Sequence, residues 1–191
     1  MTKHAEKLSN AFGYLSLKEV RAIYTLAKGI KTLNPTFVNI GAGSGTSGLA
    51  MAEIRPDADI FTIDISDGGP LGGLENERNA FLNTGLVVPH QILGTSHEIA
   101  TKWSTLIDLI FVDDGHTEPD VRGDIESWLP YIRDGGVMAF HDYRSGIHQN
   151  WPAVKRVVDE LMSGYEVVLH EDAIIAYRIA RVEEVGDDYF L

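Results

Sequence analysis

The chain has 191 residues, 44% hydrophobic and 23% charged, which suffices to bury one sizeable core. Sixteen basic residues against 28 acidic leave a formal charge of −12, a field that repels nucleic-acid phosphates and anionic lipid heads. With no cysteine there is no disulfide framework or thiolate chemistry; no signal-peptide core opens the chain and no apolar run nears the roughly 18 residues of a membrane span, so a soluble cytoplasmic protein is expected.

The opening to about Gly13 reads as polar and irregular. "SLKEVRAIYTLAKGI" then sets Leu17, Val20, Ile23, Tyr24 and Ala27 at helical spacing, predicting a helix over about 15–30, and Ser16 with Glu19 three residues on forms a capping box. Short runs rich in Val, Ile and Phe predict strands over 37–40, 60–63, 89–93, 109–112 and 137–140, apolar enough to be covered on both faces. Helices are predicted over 46–54, over 74–84 with Gly85 as the stop, over about 96–104, and over 121–132 ending in "RDGG". A further helix over 151–162 and two strands in "YEVVLHEDAIIAYRIA", turning at Glu171 and Asp172, follow. Alternating strand and helix imply crossover units and an open, mostly parallel sheet with ligands at the carboxyl ends of its strands, while the hairpin places an antiparallel strand at or near one edge. No repeat, low-complexity tract or linker divides the chain, so one domain over 1–191 with its core over 36–179 is expected.

"FVNIGAGSGTSGLAMAEIRPDADIFTIDIS" carries the first chemical signal. Gly43, Gly45 and Gly48 satisfy G-x-G-x-x-G between a strand and a helix, with Asp64 at the end of the next strand, as a dinucleotide site requires. The same stretch also reads as Gly41-x-Gly43-x-Gly45, a tighter run that lets backbone approach the sugar and amino-acid parts of S-adenosylmethionine, which has no phosphate. Asp64 serves both, because a carboxylate accepts from both ribose hydroxyls. The loop alone leaves the two cofactors open.

The second half, "LIDLIFVDDGHTEPDVRGDIESWLPYIRDGGVMAFHDY", is a buried strand ending in Asp113-Asp114, a helix, the turn Asp134-Gly135-Gly136 and a strand ending in His141-Asp142. With the glycine loop, "GTSHEIA" and "WPAVKRVVDEL", this order resembles the class I S-adenosylmethionine-dependent methyltransferases, specifically the small family that pairs a D-G-D-H-like segment with an H-D dipeptide and is related to catechol- and macrocin-type O-methyltransferases. The resemblance runs from about Leu15 to Ile179 and implies a Rossmann-like three-layer sandwich with a seven-stranded, mostly parallel sheet and a C-terminal antiparallel hairpin. It also implies cofactor contacts from Gly41, Ala42, Gly43, Ser44, Gly45, Asp64, Ile65, Thr95, Ser96 and Asp113. Two positions depart from the family pattern: Asn39 stands where an acid is common, and Thr95 where a carboxylate usually meets the adenine amine.

Methyl transfer needs an aligned nucleophile and a way to remove its proton. By the resemblance, Asp113, His141 and Asp142 are candidate ligands of a divalent metal that acidifies a substrate hydroxyl; magnesium suits an all-oxygen set, and manganese, iron or zinc suit one containing a histidine. The metal-free alternative makes His116 or His141 a general base. Glu118, Asp120, Asp124 and Glu126 read as the exposed acidic face of a helix, and His90, His97 and His170 are given no role. Arg144, His148 and Trp151 are candidates for a substrate wall, and the glycine-rich 66–73 stretch is a candidate lid. The expected activity is O-methylation of a small sugar or phenolic acceptor, with no nucleic-acid or membrane partner and with homo-oligomerisation left open. An NAD-dependent oxidoreductase and a non-catalytic S-adenosylmethionine-binding module are the alternatives.

Overall fold

The protein is described here by a computed structural model covering residues 3–12, 14–82, 84–144 and 151–180. Its order is α1 (His4–Phe12), α2 (Leu17–Gly29), β1 (Thr36–Ile40), α3 (Thr46–Ile54), β2 (Asp59–Asp64), α4 (Leu74–Phe81), β3 (His90–Leu93), α5 (Ser96–Ala100), β4 (Ile107–Val112), α6 (Glu118–Trp128), β5 (Ile132–Phe140), α7 (Pro152–Leu161), β6 (Glu166–Glu171) and β7 (Ile174–Arg178). Seven strands form one sheet in the order β3-β2-β1-β4-β5-β7-β6. The first five run parallel, and β7 lies antiparallel to both β5 and β6.

The apolar strands follow from burial on two sides. Along β1 and β4, Phe37, Leu109 and Phe111 face the core under α2 and α3, while Val38, Ile110 and Val112 face the core under α6 and α7. Alternate side chains on a strand point to opposite faces, so both layers demand apolar residues and the sequence shows no alternation. This is the expected three-layer α/β sandwich with a terminal hairpin. Among the described residues no helix is long and apolar enough to cross a membrane.

Several boundaries differ from expectation. The opening segment forms α1, whose first amides, His4 N–H and Ala5 N–H, donate to the Glu53 carboxylate on α3. α4 ends at Phe81 and α5 spans only five residues. The helix expected over 121–132 starts at Glu118, ends at Trp128 and tightens into a 3₁₀ turn at Leu129–Tyr131. "RDGG" lies inside β5 as an irregularity, with Gly135 at φ +76° and a register shift opposite Ile107 and Leu109, so β5 begins at Ile132 rather than 137. The hairpin turns at Asp172 and Ala173, because Glu171 still pairs with Ile174.

Candidate functional site

The parallel strands end together on one edge, and the chain reversals there build the site. After β1, Gly41 adopts φ +90°, and a Cβ on it would stand 2.0 Å from the Asp113 carbonyl oxygen at the end of β4. Only glycine allows that approach. Gly45 caps α3 at φ +86° against α4, where a Cβ would lie 2.7 Å from Glu77 Cα. Asp64 closes the loop from below, with Oδ2 accepting the Ala42 N–H and Oδ1 the Ser66 N–H, both at 2.7 Å. The 66–73 stretch, expected as a lid, is fastened to the glycine loop by the Gly73 N–H donating to Gly43 O at 2.9 Å.

A cleft of about 510 Å³ opens over this edge. Gly41, Ala42, Gly43 and Ser44 line it together with Asp113, His116, His141 and Asp142, and the exposed side chains of Tyr14, Leu71 and Trp151 border it. A Cβ added to Gly43 would meet nothing within 4 Å, so the backbone there borders open space. Gly45, Asp64, Ile65, Thr95 and Ser96 lie outside this lining. Ile65 is 63% exposed, and Thr95 caps α5 by accepting the Glu98 N–H. Ser96 is buried, its hydroxyl donating to Asp124 Oδ1 at 2.5 Å and accepting from Trp128 Nε1 at 2.7 Å. Asp124, expected on an exposed acidic face, is therefore buried, and burial raises its carboxyl above the ordinary range. Asn39 lies buried behind Gly41, its Nδ2 donating to Gly41 O while its Oδ1 has no donor.

Around His141, two imidazoles and three carboxylates interlock. His141 Nδ1 lies 3.0 Å from Asp113 Oδ1 and 3.4 Å from Asp142 Oδ2, and its Nε2 faces Glu19 Oε1 at 3.3 Å. That last contact is an ion pair off the line of an aligned hydrogen bond, since Nε2 has no hydrogen-bond acceptor. Burial pulls the His141 imidazolium down, but Asp113, Asp142 and Glu19 outweigh it and push it up to about 12. His116 Nε2 lies 2.7 Å from Asp142 Oδ2, and its ring stacks on Trp151 at 4.5 Å between centroids. The Asp142 contact raises His116 above the ordinary imidazole value, against burial. Burial alone would raise Asp142, and the two imidazoles instead hold it well below the usual carboxylate range. Asp142 itself sits at φ +56°, in the left-handed region two residues after the end of β5.

The candidate metal ligands are thus brought together: one donor atom each from Asp113, His141 and Asp142 falls within 4.8 Å of the others. A metal takes a deprotonated imidazole nitrogen. Nδ1 of His141 faces Asp113 and Asp142 while Nε2 faces Glu19, so Nδ1 is the nitrogen that could join the two carboxylates around a divalent ion, with Nε2–H left toward Glu19. His148 falls outside the described residues. Arg144 reaches inward to Glu19 at 3.1 Å, and of the two described members of the expected substrate wall Trp151 lines the cleft. Glu19 is the site residue that sequence reasoning missed, because its place in the capping box accounts for it fully.

The model of a methyltransferase domain family matches residues 38–143. An uncharacterised protein of Acanthamoeba polyphaga mimivirus, R132, is 26% identical over 170 residues, covering 81% of this chain and 73% of its own. Among solved structures, the O-methyltransferase NovP superposes with a TM-score of 0.71 at 16% identity over 87% of this chain and 81% of its own. TomG of Streptomyces achromogenes, an O-methyltransferase of tomaymycin synthesis solved with S-adenosylmethionine, gives 0.68 at 17% over 93% and 88%.

Proposed function

Because the chain belongs to this methyltransferase domain family, we propose that it carries a methyl group from S-adenosylmethionine to a hydroxyl of a small-molecule acceptor bound in the cleft at the strand ends. The observation that carries this reading is a single 510 Å³ cleft lined by both the glycine loop and the His116–Asp142 pair. Such a volume suits a cofactor and part of a small acceptor, and the net charge of −12 speaks against a nucleic-acid acceptor.

The residues present fit the cofactor. Gly41 and Gly43 line the cleft, the backbone at Gly43 borders open space, and Asp64 holds the loop beneath. The cofactor supplies a sulfonium methyl group, already electrophilic. What remains for the protein is to orient the acceptor and take its proton. His116 offers Nε2 to Asp142, which leaves Nδ1 to receive the proton of the hydroxyl. Trp151 fixes the ring plane by stacking, and Asp142 supports the imidazolium as it forms.

One observation favours a second reading, the convergence of Asp113, His141 and Asp142 on a common point. A metal there would displace the Nδ1 proton of His141 and leave Nε2–H toward Glu19; we assign the proton transfer to His116, whose Nε2 pairs with Asp142. Titration calorimetry with S-adenosylmethionine, S-adenosylhomocysteine and NAD, with and without manganese, tests both. Binding of the nucleosides without NAD, unchanged by metal, is expected. Binding of NAD alone would overturn methyl transfer, and metal-dependent cofactor affinity would return the three residues to metal binding.

A further inference from the structure

Glu19 is fully buried in the first turn of α2, and its helix uses only half of its carboxylate. Oε2 accepts the Ser16 N–H at 2.7 Å, completing the capping box. Oε1 does nothing for the helix. Two donors from elsewhere in the chain meet it, the Ala173 N–H of the β6–β7 turn at 3.2 Å and Arg144 Nη2 at 3.1 Å, and His141 Nε2 lies beside it at 3.3 Å as an ion pair. Burying an ionised carboxylate is unfavourable unless donors surround it, and a helix cap works equally well in solvent.

The other end of the same ring is held by Asp113, 3.0 Å from Nδ1. His141 is thus gripped at both nitrogens, by β4's end on one side and by α2 on the other. Asp142 follows it in the chain, contacts its Nδ1 at 3.4 Å, and aims the same oxygen at His116. The orientation of the His116 base therefore depends on where the His141 ring sits.

We propose that Glu19 is a positioning residue of the site, holding the His141 ring from its Nε2 side so that Asp142 stays aligned on His116. The proposal rests on the reading of this cleft as the methyl-transfer site. Glu19 touches neither substrate nor cofactor in this role and acts through His141.

The test is nitrogen NMR of the full chain with ¹⁵N-labelled histidine at neutral pH. In the wild type, Nε2 of His141 should carry a proton that is protected from exchange. Glu19→Gln should abolish that protected signal and shift the His116 Nε2 resonance, because Asp142 loses its alignment. Ser16→Ala, which removes the hydroxyl of the same capping box, should move neither. Unmoved His141 and His116 signals in Glu19→Gln would overturn the proposal. Should that variant fail to fold, the wild type alone decides, since a bare Nε2 on His141 overturns it equally. Failure of the wild type to bind S-adenosylmethionine would sink the methyl-transfer reading while leaving these signals as they are, so the two failures are distinguishable.

Discussion

His116 Nε2 and Asp142 Oδ2 lie 2.7 Å apart across 26 residues of sequence, one from the loop after β4 and the other from the left-handed residue after β5. The carboxylate favours the protonated ring, so His116 gives up its proton above the ordinary imidazole range. As a base it works only when neutral, so turnover should rise with pH through its raised value. Asp142→Asn removes the stabilising charge, and the acid limb should move to lower pH while the plateau rate falls. His116→Ala should lower turnover by ~10²–10⁴-fold, with S-adenosylmethionine affinity retained. Initial rates of S-adenosylhomocysteine formation across pH check both; a rate unchanged by His116→Ala would remove the base from the mechanism.

Two glycines of one loop should respond differently to alanine. Gly43 has φ +50° and open space around it, so the substitution there carries only the left-handed penalty of about 1–2 kcal/mol. At Gly41 the same penalty is joined by overlap with the Asp113 carbonyl, 2.0 Å from the new methyl group. Gly41→Ala should therefore lose markedly more stability and displace Asp113, weakening cofactor binding. Urea midpoints and calorimetry on the pair of variants decide this, and equal effects would contradict the close approach.

Glu77 supplies a pH dependence of stability that is independent of catalysis. It is fully buried behind the glycine loop, accepting from Thr62 Oγ1 at 2.8 Å and Gln91 Nε2 at 3.0 Å. Burial pushes it up to about 7 from 4.5, opposed by these two donors and assisted by Asp64. Below pH 4.5 both folded and unfolded chains hold the proton. Between there and about 7 the unfolded chain releases it first, so stability should decline by about 3 kcal/mol across the window and level off above it. Glu77→Gln should flatten the difference, as urea melts at pH 5 and pH 8 would show.

Ser96 separates a structural role from a cofactor contact. Its hydroxyl joins Asp124 to Trp128 in the interior, so Ser96→Ala strands two buried polar groups and should lower stability by about 1–3 kcal/mol. S-adenosylmethionine affinity should stay unchanged. A selective loss of affinity at wild-type stability would instead make Ser96 a cofactor ligand.

Where one stretch of chain contains its own explanation, the sequence was legible. The parallel strands declared themselves because two apolar layers leave no polar alternation, and Gly41, Asp113 and Asp142 drew attention because they follow strand ends. α1 stayed hidden because its N-terminal amides are satisfied by Glu53, more than forty residues away. The first half of β5 was hidden by "RDGG", a turn by composition and a bulge by structure. Asp124 was readable and misread: it falls three residues after Val121 and beside Ile125, on the same buried helix face that ends in Trp128. Glu19 was masked by the opposite effect, a local motif so complete that nothing prompted a search for a second use.

β7 is inserted between β5 and β6 although it follows both in sequence. During synthesis the edge of β5 must therefore wait, unpaired, until residues 174–178 leave the ribosome. The turn that precedes them also delivers the Ala173 amide to Glu19, a contact across 154 positions. Early-made α2 and the late-made β6–β7 turn thus meet at one carboxylate, and pairings between such distant segments form slowly. A nascent chain can assemble its glycine loop long before it can set His141, which makes the acid and histidine cluster the last part of the cleft to mature.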